Sequence, residues 1–150
     1  MRENKLAKLA RKIIKENIYL TLATGNKSPW AAPLYYCVDK DYNFYFVSQL
    51  NSRHVRNLSQ NPHVSFAIFD SHQKEGAGNG VQGEGKNVCL NNRYYIKQGL
   101  KWYKTSFLKL STDFLLGKNP YRLFKIKPRR FFILDPVAKV DKRVRVNVRQ

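Results

Sequence analysis

The sequence predicts an α+β protein built on a mostly antiparallel, barrel-like β-sheet. Three observations predict it. Short runs rich in aromatic and β-branched residues follow one another closely, separated by turn residues. Only three stretches carry helical periodicity. Seven or eight strands in one soluble domain protect their edges best by closing on themselves. At 150 residues the chain is long enough for one domain with a real core. No linker or repeat divides it, so residues 1–150 read as a single domain.

The elements follow in order. Residues 1–17 form an amphipathic helix: Leu6, Leu9, Ala10 and Ile13 share one face, and Lys5, Lys8, Lys12 and Lys15 lie elsewhere. It covers an opening of the domain or, alternatively, lies on anionic lipid. "IYLTLAT" (18–24), the turn "GNKS", "WAAPLYYCV" (30–38), the turn "DKDYN" and "FYFVS" (44–48) read as antiparallel hairpins. Pro33 donates no ladder hydrogen bond, so its strand is an edge or carries a bulge. A short helix spans 52–60, with Asn51 or Ser52 as N-cap. "HVSFAIF" (63–69) is a strand, 70–80 a glycine-rich loop, and "VQGEGKNV" (81–88) a strand weakened by glycine. Residues 91–116 read as one longer helical stretch, with Gly117 where a C-cap glycine belongs. "YRLFKIK", "RRFFILD" and "RVRVNV" are three late strands, the last within a basic tail, 136–150.

Composition narrows the function. Hydrophobic residues make up 43% of the chain, which excludes general disorder. No apolar run is long enough for a membrane span, and no secretory signal opens the chain. Cys37 and Cys89 read as small buried hydrophobes. A cytoplasmic protein follows, in which the glycosylation sequons at Asn26 and Asn57 are chance matches. The net charge is +18, and fourteen of the 28 bases fall in residues 101–150. Such a field attracts phosphates, nucleotides, nucleic acid or acidic membrane without choosing among them.

Two motifs are decoys. Gly78-Asn-Gly80-Val-Gln-Gly83 spells a dinucleotide fingerprint, but it runs into a strand rather than a helix and lacks the downstream acid. His54, His63 and His72 have no zinc-ligand spacing, and no metal site is assigned. No catalytic acid, base or nucleophile stands out among only ten carboxylates.

The stretch 46–62, "FVSQLNSRHVRNLSQNP", carries more. A first helical turn favours acids, yet this one holds Arg53 and His54 behind Ser52. Free N–H groups, a guanidinium and a hydroxyl together suit a phosphate-bearing ligand at 48–54.

The ordered set "YLTLAT", "SPWAAPLYYCVDKDYNFYFVSQLNSRHVRNLSQNPHVSFAIFD" and "GVQGEGK" resembles the pyridoxamine 5′-phosphate oxidase-like, FMN-binding split-barrel family, over residues 18–148. The resemblance implies a six-stranded split β-barrel with flanking helices. It also implies a homodimer with FMN at the subunit interface. By position, Ser48, Ser52, Arg53 and His54 would hold the FMN phosphate. The backbone of Pro33, Leu34 and Tyr35 would border the isoalloxazine ring, with Val47 beside the same strand end and Gln82 near the flavin. The departures are specific. His54 stands where oxidases of pyridoxamine phosphate usually carry Lys, Ala32 where they carry Arg, and their C-terminal Trp- and Arg-bearing substrate motif is missing. Vitamin B6 oxidation is therefore not assigned.

The resemblance thus implies an FMN-dependent oxidoreductase of unidentified substrate, with a nicotinamide dinucleotide or another anionic small molecule as a further partner. The family also has heme-binding and deazaflavin-using members, so those cofactors stay open. The rival is a nucleic-acid-binding module centred on Tyr121, Arg122, Lys125, Lys127, Arg129 and Arg130, with Phe131 and Phe132 for stacking. Against it, those aromatics alternate with bases as on a half-buried strand, and no RNA-recognition signature is present.

Overall fold

Apolar side chains at alternate positions give the strands one common buried face, and the sheet curls around it. The computed structural model describes residues 2–25 and 27–149. Asn26, in the first expected turn, lies outside the described residues. In chain order come α1 (Arg2–Glu16), β1 (Tyr19–Thr24), β2 (Trp30–Tyr35), β3 (Cys37–Val38), β4 (Phe44–Gln49) and α2 (Arg53–Gln60). They are followed by β5 (His63–Phe69), β6 (Gly80–Leu90), α3 (Arg93–Leu100), α4 (Thr112–Leu116), β7 (Tyr121–Leu134) and β8 (Arg143–Val146).

The sheet order is β2-β1-β5-β6-β7-β4-β3, with β8 added on β7, and every pair is antiparallel. The six longer strands form the curled half-barrel expected of a split barrel, and β2 and β4 approach across its opening. Pro33 lies on edge strand β2, where a missing donor costs nothing. No helix among the described residues is long and apolar enough to cross a membrane.

Register lays out both faces. One cross-strand row, Ala32–Leu22–Phe66–Gly83–Phe131–Val146, faces the core, and its apolar side chains are buried. The adjacent row, Pro33–Thr21–Ala67–Gln82–Phe132–Arg145, faces outward. The rings of Phe44, Phe66 and Phe131 pack together, with centroids 4.9 Å apart for Phe44–Phe66 and 6.0 Å for Phe66–Phe131. Gly83 makes room for them, since a Cβ there would fall inside the ring of Phe66. Helix α1 closes one end by burying Leu6, Ala7, Ala10, Ile13 and Ile14. A smaller cluster (Tyr45, Leu90, Ile96, Tyr103, Leu115 and Leu123) lies under α3 and α4.

Several expectations need correction. The run 30–38 breaks at Tyr36, whose buried hydroxyl donates to the Ile14 carbonyl at 2.5 Å. The single helix expected over 91–116 is two short helices, with an irregular segment at 101–111 between them. Tyr103, on that segment, turns into the smaller cluster. Gly117 does cap α4, but at φ −75°, so no left-handed residue is needed. The first two late strands are one strand, β7, which continues through Pro128. β7 pairs with β4 over Tyr121–Ile126 and with β8 over Phe131–Leu134 along the same side. Pro128 falls between them, where no ladder donor is required. The cysteines are not core residues: Cys37 is half-buried and Cys89 exposed.

Gly83→Ala is expected to destabilise the fold by about 1–3 kcal/mol through overpacking. Chemical denaturation of the single variant, and of the same change in a Phe66→Leu background, checks it. The cost should shrink when the ring is gone, and an equal cost in both backgrounds would refute the contact.

Candidate functional site

Strand β4 ends by burying Ser48 and leaving Val47 half-buried, and the chain turns through Leu50 and Asn51 into α2. Ser52 occupies the N-cap, but its side chain does not cap the helix. Its hydroxyl donates backward to the Gln49 carbonyl at 2.8 Å. The first-turn N–H groups therefore keep no side-chain acceptor from the cap, and no acid stands in that turn.

His54 sits against both serines, with Nε2 2.7 Å from Ser48 Oγ and 3.3 Å from Ser52 Oγ. The Ser52 proton is already committed to Gln49, so its oxygen meets the imidazole as an acceptor. That suits the tautomer carrying its proton on Nε2. Burial pushes the His54 pKa below its ordinary value of 6.5, so the ring is mainly neutral at pH 7. The Arg53 guanidinium lies over the indole of Trp30, 4.2 Å from the ring centroid. It has no carboxylate partner among the described residues. This stack ties the start of α2 to the start of edge strand β2.

The structure brings Ser48, Ser52, Arg53 and His54 together and distributes the other expected site residues. Leu34 points into the core, so only its backbone is available at the edge. Tyr35 and Val47 line a separate cleft of about 430 Å³, together with Ile18, Tyr19, Tyr103 and Phe107. The Tyr35 hydroxyl donates to the Lys104 carbonyl at 2.7 Å, and its pKa is raised, first by its hydrogen bond with Cys37 and then by burial. Pro33 and Gln82 share the outward row but are separated by β1 and β5. At 4.7–4.9 Å per strand they stand about 14 Å apart, too far to flank one ring edge from the same chain.

The sequence reading missed Trp30, Lys27 and Ser28. Arg53, Lys27, Ser28 and Asn57 line a cavity of about 410 Å³ beside the start of α2. Gly25 turns the chain there at φ +103°, and Asn57 donates to Thr24 Oγ1 at 3.1 Å. A lysine and a serine in a turn gave the only local signal.

Comparison with known proteins places residues 6–135 within the family model described as pyridoxamine 5′-phosphate oxidase. Among curated proteins, none matches the chain in sequence. Solved structures share its fold. A heme binding protein from Mycobacterium smegmatis superposes with TM-score 0.74 at 16% identity, covering 95% of this chain and 58% of that one. The chain thus spans little more than half of that relative. The heme storage protein from Vibrio cholerae gives TM-score 0.64 at 18% identity over 85% of this chain and 94% of its own. An FAD-binding protein from Mesorhizobium loti gives 0.62 at 22% identity, over 81% and 88%. At such identities the likeness concerns fold alone.

The His54 imidazole is expected to titrate below 6.5 in the ligand-free protein, as followed by NMR of its ring protons. A value at or above 6.5 would contradict the buried, serine-bound ring.

Proposed function

The chain belongs to the pyridoxamine 5′-phosphate oxidase family, and from that premise we propose that it is an FMN-binding flavoprotein. The observation carrying this reading is the acid-free, cationic start of α2, where Ser48, Ser52 and His54 form one hydrogen-bonded group beside Arg53, which has no carboxylate partner among the described residues. These residues fit a phosphate tail. The helix start offers N–H donors, Arg53 a two-pronged donor, and Ser48 and His54 polar groups that burial has already oriented.

The β2 edge would border the flavin ring with its unpaired peptide groups. The outward row beside it is small and flat at Pro33, Thr21 and Ala67. A second copy of the chain packed on this face would supply Gln82 to its neighbour's ring, which agrees with the distance from Pro33. The proposal therefore includes a homodimer. When bound, FMN supplies hydride or electron transfer at its N5. The protein's part is orientation, exclusion of water and electrostatics, and no side chain is assigned as acid or base. An oxidoreductase acting on a small, anionic substrate, in the cytoplasm, completes the reading.

One observation favours heme as a second reading. The cleft formed by Ile18, Tyr19, Tyr35, Tyr103 and Phe107 is aromatic and open, and would take a flat apolar ring. Two of the fold relatives are named for heme. Titration of the purified protein with FMN and with hemin separates the readings. Arg53→Ala should weaken FMN roughly 10–100-fold, the size of a charge-assisted contact, and leave hemin unaffected. Undiminished FMN binding in that variant would overturn the flavin site.

His54 adds a pH signature. The ring is neutral when the site is free, and an arriving phosphate dianion raises its pKa, so binding takes up a proton. FMN affinity should therefore fall as pH rises from the lowered free-state pKa of the ring through its raised bound-state value. His54→Lys, charged throughout that range, should bind FMN with little pH dependence. Parallel profiles measured by flavin fluorescence would remove His54 from the phosphate site.

A further inference from the structure

We propose that the face around the open edge of β7 binds single-stranded nucleic acid through its phosphates. Between its pairings with β4 and β8, residues 127–130 of β7 have no strand partner on that side. A β-bulge opposite Glu84 and Gly85 makes Arg129 the extra residue, so consecutive arginines project from one short stretch. Arg129 stands between two adjoining clefts and lines both. One, of about 600 Å³, also holds Arg130, Arg145 and Arg149. The other, of about 470 Å³, also holds Lys86, Lys127 and His63.

Two acids, Glu3 and Glu84, face these six cations. Glu84 pairs with Arg130 and, at 3.5 Å, with Arg129. Arg149 is held in place by the carbonyls of Asp41 and Pro128. Lys86, Lys127 and Arg145 have no ion-pair partner among the described residues. The net positive charge of the trough is thus solvent-facing and uncompensated.

The shape selects the occupant. From Lys86 on β6 across β7 to Arg145 on β8 the cations cross about 10 Å, and they extend further along β7. One phosphate cannot engage such a spread, whereas a chain of phosphates can. None of the large exposed apolar side chains lines either cleft, which argues against insertion into lipid. Phe131 faces the core and the outward-facing Phe132 lines neither cleft, so base stacking contributes little and binding should be insensitive to sequence. The surface is separate from the start of α2 and does not rest on the flavin reading.

Fluorescence anisotropy with labelled twenty-nucleotide thymidine DNA and uridine RNA tests it on the full chain. Saturable binding is expected, with log affinity against log salt falling at a slope of about −3, the release expected from roughly four contacts to a single strand. Arg129→Glu with Arg145→Glu should weaken binding at least tenfold. The charge-matched pair Lys97→Glu and Lys101→Glu on and beside α3 should change it less than threefold. Lys86→Glu with Lys127→Glu serves as a second test pair if circular dichroism shows the first to be misfolded. Equal loss in the test and control pairs would reduce the effect to net charge and overturn the site. So would absence of oligonucleotide binding, tighter binding of a duplex than of the single strand, or binding only to phosphatidylserine vesicles.

Discussion

The packing of Phe66 over Gly83 sets the curvature on which the rest of the molecule depends. A side chain on β6 at that point would hold β5 and its phenyl ring away. Without one, Phe66 meets Phe44 and Phe131 across the interior, and strands from both halves of the sheet share one aromatic core. This curl brings edge strand β2 near β4 although four strands separate them within the sheet. Trp30 at the start of β2 can then reach Arg53, placed by the end of β4 and the first turn of α2. A contact in the core and an exposed guanidinium are thus linked through sheet geometry.

The placement of acids is the electrostatic counterpart. The few carboxylates do structural work away from α2. Asp39 accepts two backbone N–H bonds in the β3–β4 turn and one bond from the Tyr45 hydroxyl. Asp135 holds Arg2 at 2.5 Å, which draws the carboxyl pKa down and fastens α1 to the end of β7. Asp113 pairs with Arg93 between the two short helices. At the start of α2 there is none, so the dipole there meets only cationic and neutral groups. Stacking on Trp30 and burial of a neutral His54 make that arrangement tolerable, since neither requires an isolated buried charge.

What the sequence revealed depended on whether the deciding contact was local. Strands β1, β4 and β5 and helix α2 were legible nearly to the residue, because alternation, spacing and caps are local signals. The acid-free, cationic start of α2, on which the proposed phosphate site rests, was legible because a missing acid is also a local fact. Tyr36 broke its strand for a carbonyl on α1, twenty-two residues away. The 101–111 segment kept helical spacing, but its backbone at Lys104 is engaged by Tyr35 and Cys37, more than sixty residues distant. Pro128 read as a strand break because the open edge that tolerates it exists only once β4 and β8 have both docked on β7. The separation of Pro33 from Gln82 follows from a strand order that is not sequential, so no spacing along the chain encodes it.

The two proposed phosphate sites differ physically despite sharing one sign of charge. At the start of α2 the polar groups are few, partly buried and hydrogen-bonded to one another before any ligand arrives. Little conformational entropy remains to be lost there, and water screens the buried groups weakly. Around the open edge of β7 the cations are numerous, long and mostly exposed, and their attraction comes largely from displaced counterions. Added salt should therefore weaken the second region far more steeply than the first. Five of the fourteen bases in residues 101–150, Lys127, Arg129, Arg130, Arg145 and Arg149, are gathered there, around one bulge and one unpaired stretch of β7.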